Sequence, residues 1–153
     1  ALPADVAICA AAVSDWRPAE AEAQKIKKDG RDGAASLSLE LLENPDILAT
    51  LGMHENNRPR LVIGFAAETD EILSYATAKL SAKGCDWILA NDVAPHTGTF
   101  GGDDNKIHLI ERGADGAPNV EDWPHTSKVE VAARLAERIA RVFAKSDNSG
   151  NAT

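Results

Sequence analysis

The apolar and polar positions of this 153-residue chain fall into short blocks with two different periods. Val6 to Val13 is an unbroken run of small and apolar residues, the pattern of a strand covered on both faces. Ser36 to Leu41 alternates at period two and predicts a half-buried strand. Arg60 to Phe65 and Asp86 to Ala90 predict two more buried strands, and Lys106 to Glu111 alternates again. The Gly113–Gly116 turn then returns the chain to a short antiparallel edge segment near Val120. Three helices interleave with these strands. Asn44-Pro45-Asp46 opens the first, with Asn at the N-cap, Pro at the first helical position and Ile47, Leu48 and Leu51 as its stripe. Thr69 is the expected cap of the second, which runs to about Lys83 and stops at Gly84. Ser127-Lys128-Val129-Glu130 is a capping box opening the third, with Val129, Ala132, Leu135, Ile139, Val142 and Phe143 as its apolar stripe.

This order predicts an α/β fold: a mostly parallel sheet with helices on both faces and an antiparallel addition at one edge. Residues 1–145 read as one domain, and the polar stretch 146–153 as a disordered tail. Residues 16–34 lack any sustained period and read as a long loop, the kind that acts as a lid or binding loop. Neither GxGxxG nor GxxxxGK[ST] occurs, so the usual dinucleotide and P-loop fingerprints are missing.

Composition narrows the classes. The chain is 44% hydrophobic and 26% charged, the balance of a globular domain, and no apolar run reaches membrane-spanning length. Ala1–Asp5 has neither a basic nor a long apolar region, so a signal peptide is not expected and the expected location is cytoplasmic. The net charge of −8 opposes bulk binding to nucleic acid or anionic membrane, although a local basic pocket for one small phosphate ligand remains compatible with it. Cys9 and Cys85 lie in apolar segments and read as free thiols. There is no CxxC, and His54, His96, His108 and His125 lack ligand spacing, so no structural zinc site is expected.

Several segments carry candidate chemistry, each with a plainer alternative. Small residues at Ala10-Ala11-Ala12, at the expected carboxyl end of a strand, let a ligand approach the backbone. Asp15 beyond them either reaches a ribose hydroxyl or a metal, or caps a turn with Trp16 as a wall. Lys25-Ile26-Lys27-Lys28 is either a mobile cationic lid for a phosphate or a solvated charge run. Asn44-Pro45-Asp46-Ile47-Leu48 offers helix-start N–H groups to an anion or a base edge, or is an ordinary capped helix. Phe65, in Gly64-Phe65-Ala66-Ala67-Glu68-Thr69, is either a wall for a planar base or a core aromatic. Lys79 and Lys83 share one helix face and point at phosphates or complement the helix dipole. A simple doubly wound unit would put that helix end opposite the ligand crevice. Asp103-Asp104-Asn105 reads as a turn, since the calcium-loop pattern is incomplete.

The order and spacing of these segments carry more than any one of them. Ala-Ala-Val-Ser-Asp-Trp-Arg-Pro (11–18), Lys-Ile-Lys-Lys (25–28), Asn-Pro-Asp-Ile (44–47), Gly-Phe-Ala-Ala-Glu-Thr (64–69) and Ala-Asn-Asp-Val (90–93) follow one another as in the phosphopantothenoylcysteine synthetases. The chain resembles that family, the C-terminal half of a bifunctional bacterial coenzyme A biosynthesis protein, up to about Phe143. The resemblance implies a three-layer Rossmann-like fold and a CTP-dependent ligase. CTP would activate the carboxylate of 4′-phosphopantothenate as an acyl-cytidylate, and the amine of cysteine would displace CMP. It implies Mg²⁺ with CTP, a homodimer, and FMN only in a decarboxylase half that these residues do not include. It also assigns roles. Cys9, Ala10 and Ala11 would present backbone to the nucleotide and Asp15 would hold its sugar or metal region. Lys25 would act on the acyl-phosphate centre as the lid lysine. Pro45, Asp46, Ile47, Leu48 and Phe65 would line the nucleotide site, and Lys79 and Lys83 would contact CTP. The family's first strand, Gly-rich turn and intermediate-binding asparagine would precede Ala1. The expectation is therefore a C-terminal piece of the synthetase domain, catalytically impaired by itself. A CTP-binding module without turnover stays open beside it, and an NAD(P)-dependent oxidoreductase is disfavoured by the missing fingerprint.

Overall fold

A computed structural model describes residues 2–20, 38–93, 103–113 and 116–149. Its centre is a five-stranded sheet in the order β1-β4-β5-β7-β8, formed by β1 (Val6–Cys9), β4 (Leu61–Glu68), β5 (Trp87–Asp92), β7 (Ile107–Arg112) and β8 (Pro118–Asp122). β1, β4 and β5 are parallel, while β7 and β8 continue the sheet antiparallel. The antiparallel addition is thus two strands wide, and Val120 lies on its outermost strand, opposite Ile110.

Side-chain alternation divides the core into two layers. Val62 and Ala66 of β4, Ile88 and Ala90 of β5, and Ile110 of β7 face one way. There they meet Leu48 of α1 (Ile47–Gly52) and Ala76 and Leu80 of α2 (Ile72–Lys83). Leu61, Ile63, Trp87, Leu89, Ile107 and Leu109 face the other way, against Trp123 and against Val131 and Leu135 of α3 (Lys128–Ser149). Helices therefore cover both faces, as the sequence predicts. Gly64 makes this packing possible on the α1 side, because a Cβ there would lie 2.5 Å from a Leu48 methyl and 2.8 Å from an Ile88 methyl.

Several local expectations need correction. β1 stops at Cys9 and lies at the edge of this sheet, so it is not buried on both faces: Ile8 is 49% exposed. Of the strand expected over Ser36–Leu41, Ser36 and Leu37 lie outside the described residues, and the described strand is β3 (Leu41–Glu43). β3 pairs antiparallel with β2 (Trp16–Pro18) in a separate two-stranded ribbon that packs on neither layer, leaving Trp16, Leu41 and Leu42 exposed. Asp46, not Asn44, caps α1: its carboxylate accepts the Ala49 N–H at 2.8 Å. α2 begins at Ile72, later than the Thr69 cap predicts, because β4 runs on to Glu68 and the chain turns through Glu71 in a left-handed conformation (φ 46°). Asp104–Asn105 forms a small strand, β6, paired with β9 (Thr126–Ser127), where the sequence predicts only a turn. α3 extends to Ser149, into the stretch expected to be a tail. Its buried stripe is Val131, Leu135, Ile139 and Phe143, while Val129 is 79% exposed. Leu135, Ile139 and Phe143 are as the sequence predicts, and Val131 takes the place of Val129 at the helix entry.

The predicted capping box forms. Ser127 Oγ accepts the Glu130 N–H at 3.2 Å and Glu130 Oε2 accepts the Ser127 N–H at 3.2 Å. The Thr126 and Ser127 hydroxyls and this N–H hold the Glu130 carboxyl below its usual range, and the Ala49 N–H and Lys83 ammonium do the same for Asp46. A carboxyl whose pKa is lower in the folded chain stabilises the fold above its unfolded value of about 4 and loses that contribution as pH falls through the folded value. The melting temperature, followed by circular dichroism, is therefore expected to be level above about pH 5 and to decline below about pH 4. Glu130→Gln should make that decline shallower, and an unchanged profile would show that the cap carries no acid sensitivity.

Candidate functional site

A cavity of about 510 Å³ opens where β1 ends and the chain leaves the sheet. This lies within the range of small-molecule sites, roughly 300–1,000 Å³. Cys9 and Ala11 line one side, followed by Val13, Ser14, Asp15 and Trp16. Glu43, Asn44, Pro45, Asp46, Ile47 and Leu48 bring in the start of α1, Phe65 comes from β4, and Lys79 and Lys83 come from α2.

Asn44 joins the two loop segments of this wall. Its amide nitrogen donates to the Ser14 carbonyl at 2.8 Å, and its backbone N–H donates to the Asp15 carbonyl at 2.8 Å. Arg17 donates to the Glu43 carbonyl at 2.8 Å and to Asn44 Oδ1 at 3.2 Å. These bonds hold the segment carrying Asp15 against the N-terminus of α1. The sequence shows Asn44 beside a proline and a helix, so a cap is the natural reading. Its cross-segment role depends on Ser14, 30 positions away.

The electrostatics centre on Asp46 and Lys83. Lys83 Nζ donates to Asp46 Oδ2, while Asp46 Oδ1 holds the Ala49 N–H. Asp46 raises the pKa of the Lys83 ammonium, with Asp15 and Glu43 adding smaller effects of the same sign. Burial pushes the Cys9 thiol up, helped by the Asp46 charge, which disfavours the reactive thiolate. Burial also pushes Cys85 to about 11, and it serves as core. Among the described residues lining the cavity, three carboxylates (Asp15, Glu43, Asp46) face two ammonium groups (Lys79, Lys83). A polyanion entering here requires further positive charge.

The structure brings together most of the residues expected from sequence. Cys9, Ala11, Asp15, Pro45, Asp46, Ile47, Leu48, Phe65, Lys79 and Lys83 all line the cavity. Ala10 is exposed and is not among the lining residues, because the chain leaves the sheet directly after Cys9. Lys25 and the rest of the lysine-rich loop segment, 21–37, lie outside the described residues. Phe65 packs against the α3-side core, its plainer reading, and also lines the cavity. The expected conflict over Lys79 and Lys83 does not arise. α1 is only six residues long and its C-terminal backbone touches that of α2, so its capping Asp46 lies within reach of the last turn of α2. One chain supplies both lysines.

Among the described residues no group of three or more His, Cys, Asp or Glu side chains is arranged to hold a metal ion. None of their helices is long and apolar enough to cross a membrane.

Residues 1–143 match the family described as DNA/pantothenate metabolism flavoprotein C-terminal domain. The coenzyme A biosynthesis bifunctional protein CoaBC of Haemophilus influenzae is 37% identical over 145 residues, covering 95% of this chain and 34% of its own length. The protein of the same name from Bacillus subtilis is 38% identical over 136 residues, covering 89% of this chain and 31% of its own. The chain thus spans 34% and 31% of the length of these curated relatives. The crystal structure of the C-terminal domain of coenzyme A biosynthesis bifunctional protein CoaBC superposes with a TM-score of 0.63 at 32% identity, over 92% of this chain and 56% of that one. The DNA/pantothenate metabolism flavoprotein from Streptococcus pneumoniae shares the fold, with a TM-score of 0.58 at 20% identity, over 90% of this chain and 60% of that one. The segments that form the cavity all lie inside the matched region, and the chain belongs to the family of DNA/pantothenate metabolism flavoprotein C-terminal domains.

Proposed function

We propose that this chain is part of a phosphopantothenoylcysteine synthetase, a ligase of coenzyme A biosynthesis, and that the cavity between β1, α1 and α2 is its CTP site. The observation that carries the reading is the convergence of Asp15, the Asn44–Leu48 helix start, Phe65, Lys79 and Lys83 on one cavity, from segments up to 68 positions apart in sequence. The carboxylate oxygen of 4′-phosphopantothenate attacks the α-phosphorus of CTP and pyrophosphate leaves. The cysteine amine then attacks the acyl carbon of the acyl-cytidylate, an amide bond forms, and CMP leaves.

The side chains suit positioning more than covalent catalysis. Phe65 offers a face to a planar base, and the backbone at Cys9 and Ala11 allows close approach. Lys79 and Lys83 contact the nucleotide, and Asp15 reaches its sugar or metal region. Bringing two phosphorylated substrates together next to three carboxylates requires positive charge beyond these two lysines. Lys25 and its neighbours supply part of it, with Lys25 acting at the acyl-phosphate centre. Mg²⁺ supplies the rest by neutralising phosphate charge. Asp15 is the cavity carboxylate that could reach that ion, which is commonly held by substrate phosphates and one or two carboxylates. FMN belongs, on this reading, to the decarboxylase half and not to these residues. The enzyme acts as a homodimer, and the exposed Trp16, Leu41 and Leu42 of the β2–β3 ribbon are apolar surface available to a second copy.

Calorimetric titration with CTP and Mg²⁺, run beside ATP, UTP and NAD, tests the reading. Selective CTP binding that Asp15→Ala weakens at least about tenfold supports it, a loss matching one hydrogen bond to a charged group. Equal binding of all four, or preference for NAD, overturns it. CTP binding with no product formed when both other substrates are supplied to the full-length protein favours the binding module without turnover.

A further inference from the structure

Arg58 lies outside the cavity, between α1 and β4, with its side chain mostly covered. Its guanidinium bonds in several directions at once. Nε donates to the carbonyl of Gly52, the last residue of α1, at 2.7 Å. One terminal nitrogen donates to the Pro59 carbonyl at 3.0 Å. The other donates to the carbonyl of Gly84, the C-cap of α2, at 2.9 Å and to both carboxylate oxygens of Asp86 at 3.0 Å. Asp86 is itself fixed to the sheet, since its Oδ2 accepts the Val62 N–H at 2.7 Å and its own N–H donates to the Val62 carbonyl at 2.9 Å.

Two helix C-termini therefore converge on one cation. Each presents carbonyls without intrahelical partners and the negative end of its dipole. The backbones touch at the same point: a Cβ on Gly52 would lie 2.2 Å from the Lys83 carbonyl oxygen. Both helices carry cavity residues. α1 begins directly after Asp46, and α2 ends at Lys83, one residue before the carbonyl that Arg58 holds. A six-residue helix has little stability of its own, so its placement depends on such outside contacts.

We propose that Arg58 is a positioning residue: by holding the Gly52 and Gly84 carbonyls on one planar fork anchored by Asp86, it fixes α1 against α2 and so sets Lys83 and Lys79 against the N-terminus of α1 in the cavity. A lysine at this position supplies the charge without the fork. The clamp acts on helix geometry whatever the cavity binds, while its effect on substrate rests on the CTP reading above.

The test uses Arg58→Lys in the full-length protein, with two readouts. The first is the titration of the Asp46 carboxyl by ¹³C NMR. Lys83 and Lys79 are the cations that lower it, and Asp15 and Glu43 are the carboxylates that share Lys83. With the helices loosened, Asp46 is expected to titrate closer to the ordinary value of about 4. The second is steady-state kinetics: KM for CTP is expected to rise about tenfold while kcat stays within about twofold, the signature of lost uniform binding. A purely structural role would lower the melting temperature and leave both the Asp46 titration and the KM of the folded protein unchanged, and that result overturns the proposal. If Asp46 shifts but neither protein binds CTP, the clamp stands and the CTP reading falls. If Arg58→Lys does not fold, Asp86→Asn decides, since it retains the guanidinium and an acceptor but removes the anchoring charge. A smaller Asp46 shift in the same direction supports the clamp, and no shift overturns it.

Discussion

Lys83→Ala is expected to weaken binding of CTP with Mg²⁺ by about thirtyfold, more than any other single change in the cavity. Two effects act in the same direction. The substitution removes an ammonium group whose bond to a phosphate or other acceptor is charge-assisted, worth about 1.5–3 kcal/mol, or roughly 10–150-fold. It also uncovers Asp46, whose carboxylate is engaged by Lys83 in the free protein and would then repel the incoming polyanion. Asp46→Asn in the Lys83→Ala background separates them. Asparagine can still cap α1 through its side-chain oxygen but carries no charge, so part of the lost affinity is expected to return. Lys79→Ala should cost less, because Lys79 lines the cavity without pairing to Asp46. An unchanged affinity for Lys83→Ala, measured by calorimetry, would remove this end of the cavity from the nucleotide site.

Gly52→Ala is expected to be the most damaging change to stability among the glycines of the α1–α2 corner, lowering it by about 3 kcal/mol. The added Cβ would lie 2.2 Å from the Lys83 carbonyl oxygen and 2.9 Å from the Gly84 carbonyl. Those are backbone atoms, so no side chain can swing aside, and α1 must move bodily. For a chain of this size the loss corresponds to a fall in melting temperature of roughly 6–12 °C. Gly84 makes a useful contrast. A Cβ there meets its neighbours at 3.2 Å or more, and its cost comes from the left-handed φ of 62°, worth about 1 kcal/mol. Urea unfolding of the two variants checks the order. Equal losses would mean that the helices can part at Gly52 with little penalty.

The sheet strands were legible because burial imposes a period on them. β4, β5 and β7 each place residues in both core layers, and their positions follow from apolar runs and alternation alone. The capping box of α3 was legible for a different reason: Ser127 and Glu130 satisfy one another within a single turn. The cavity residues were legible as an ordered set of short segments, although each one alone fits an ordinary turn, cap or core position.

Long-range contact was not legible. The sequence determined that this is an α/β chain with helices on both faces of its sheet, that Cys9 and Cys85 are thiols in apolar surroundings, and that Asp15, the Asn44–Leu48 segment, Phe65 and the two lysines of α2 are the residues to watch. Only the tertiary structure decided that Asp46 and not Asn44 caps α1, that Asn44 instead ties down the Asp15 loop, and that Arg58 joins two helix ends. It also decided that Val131 and not Val129 begins the buried stripe of α3, and that a helix as short as α1 brings Asp46 to Lys83. Periodicity and caps are local, because their energies arise within a turn or a strand. The Asp46 cap is local too, but Asn44 and Asp46 both offered a cap and the choice went with the bond from Asn44 to Ser14. The ties from Asn44 to Ser14, Arg58 to Gly84 and Lys83 to Asp46 span 26–37 positions, and nothing in the intervening sequence records them.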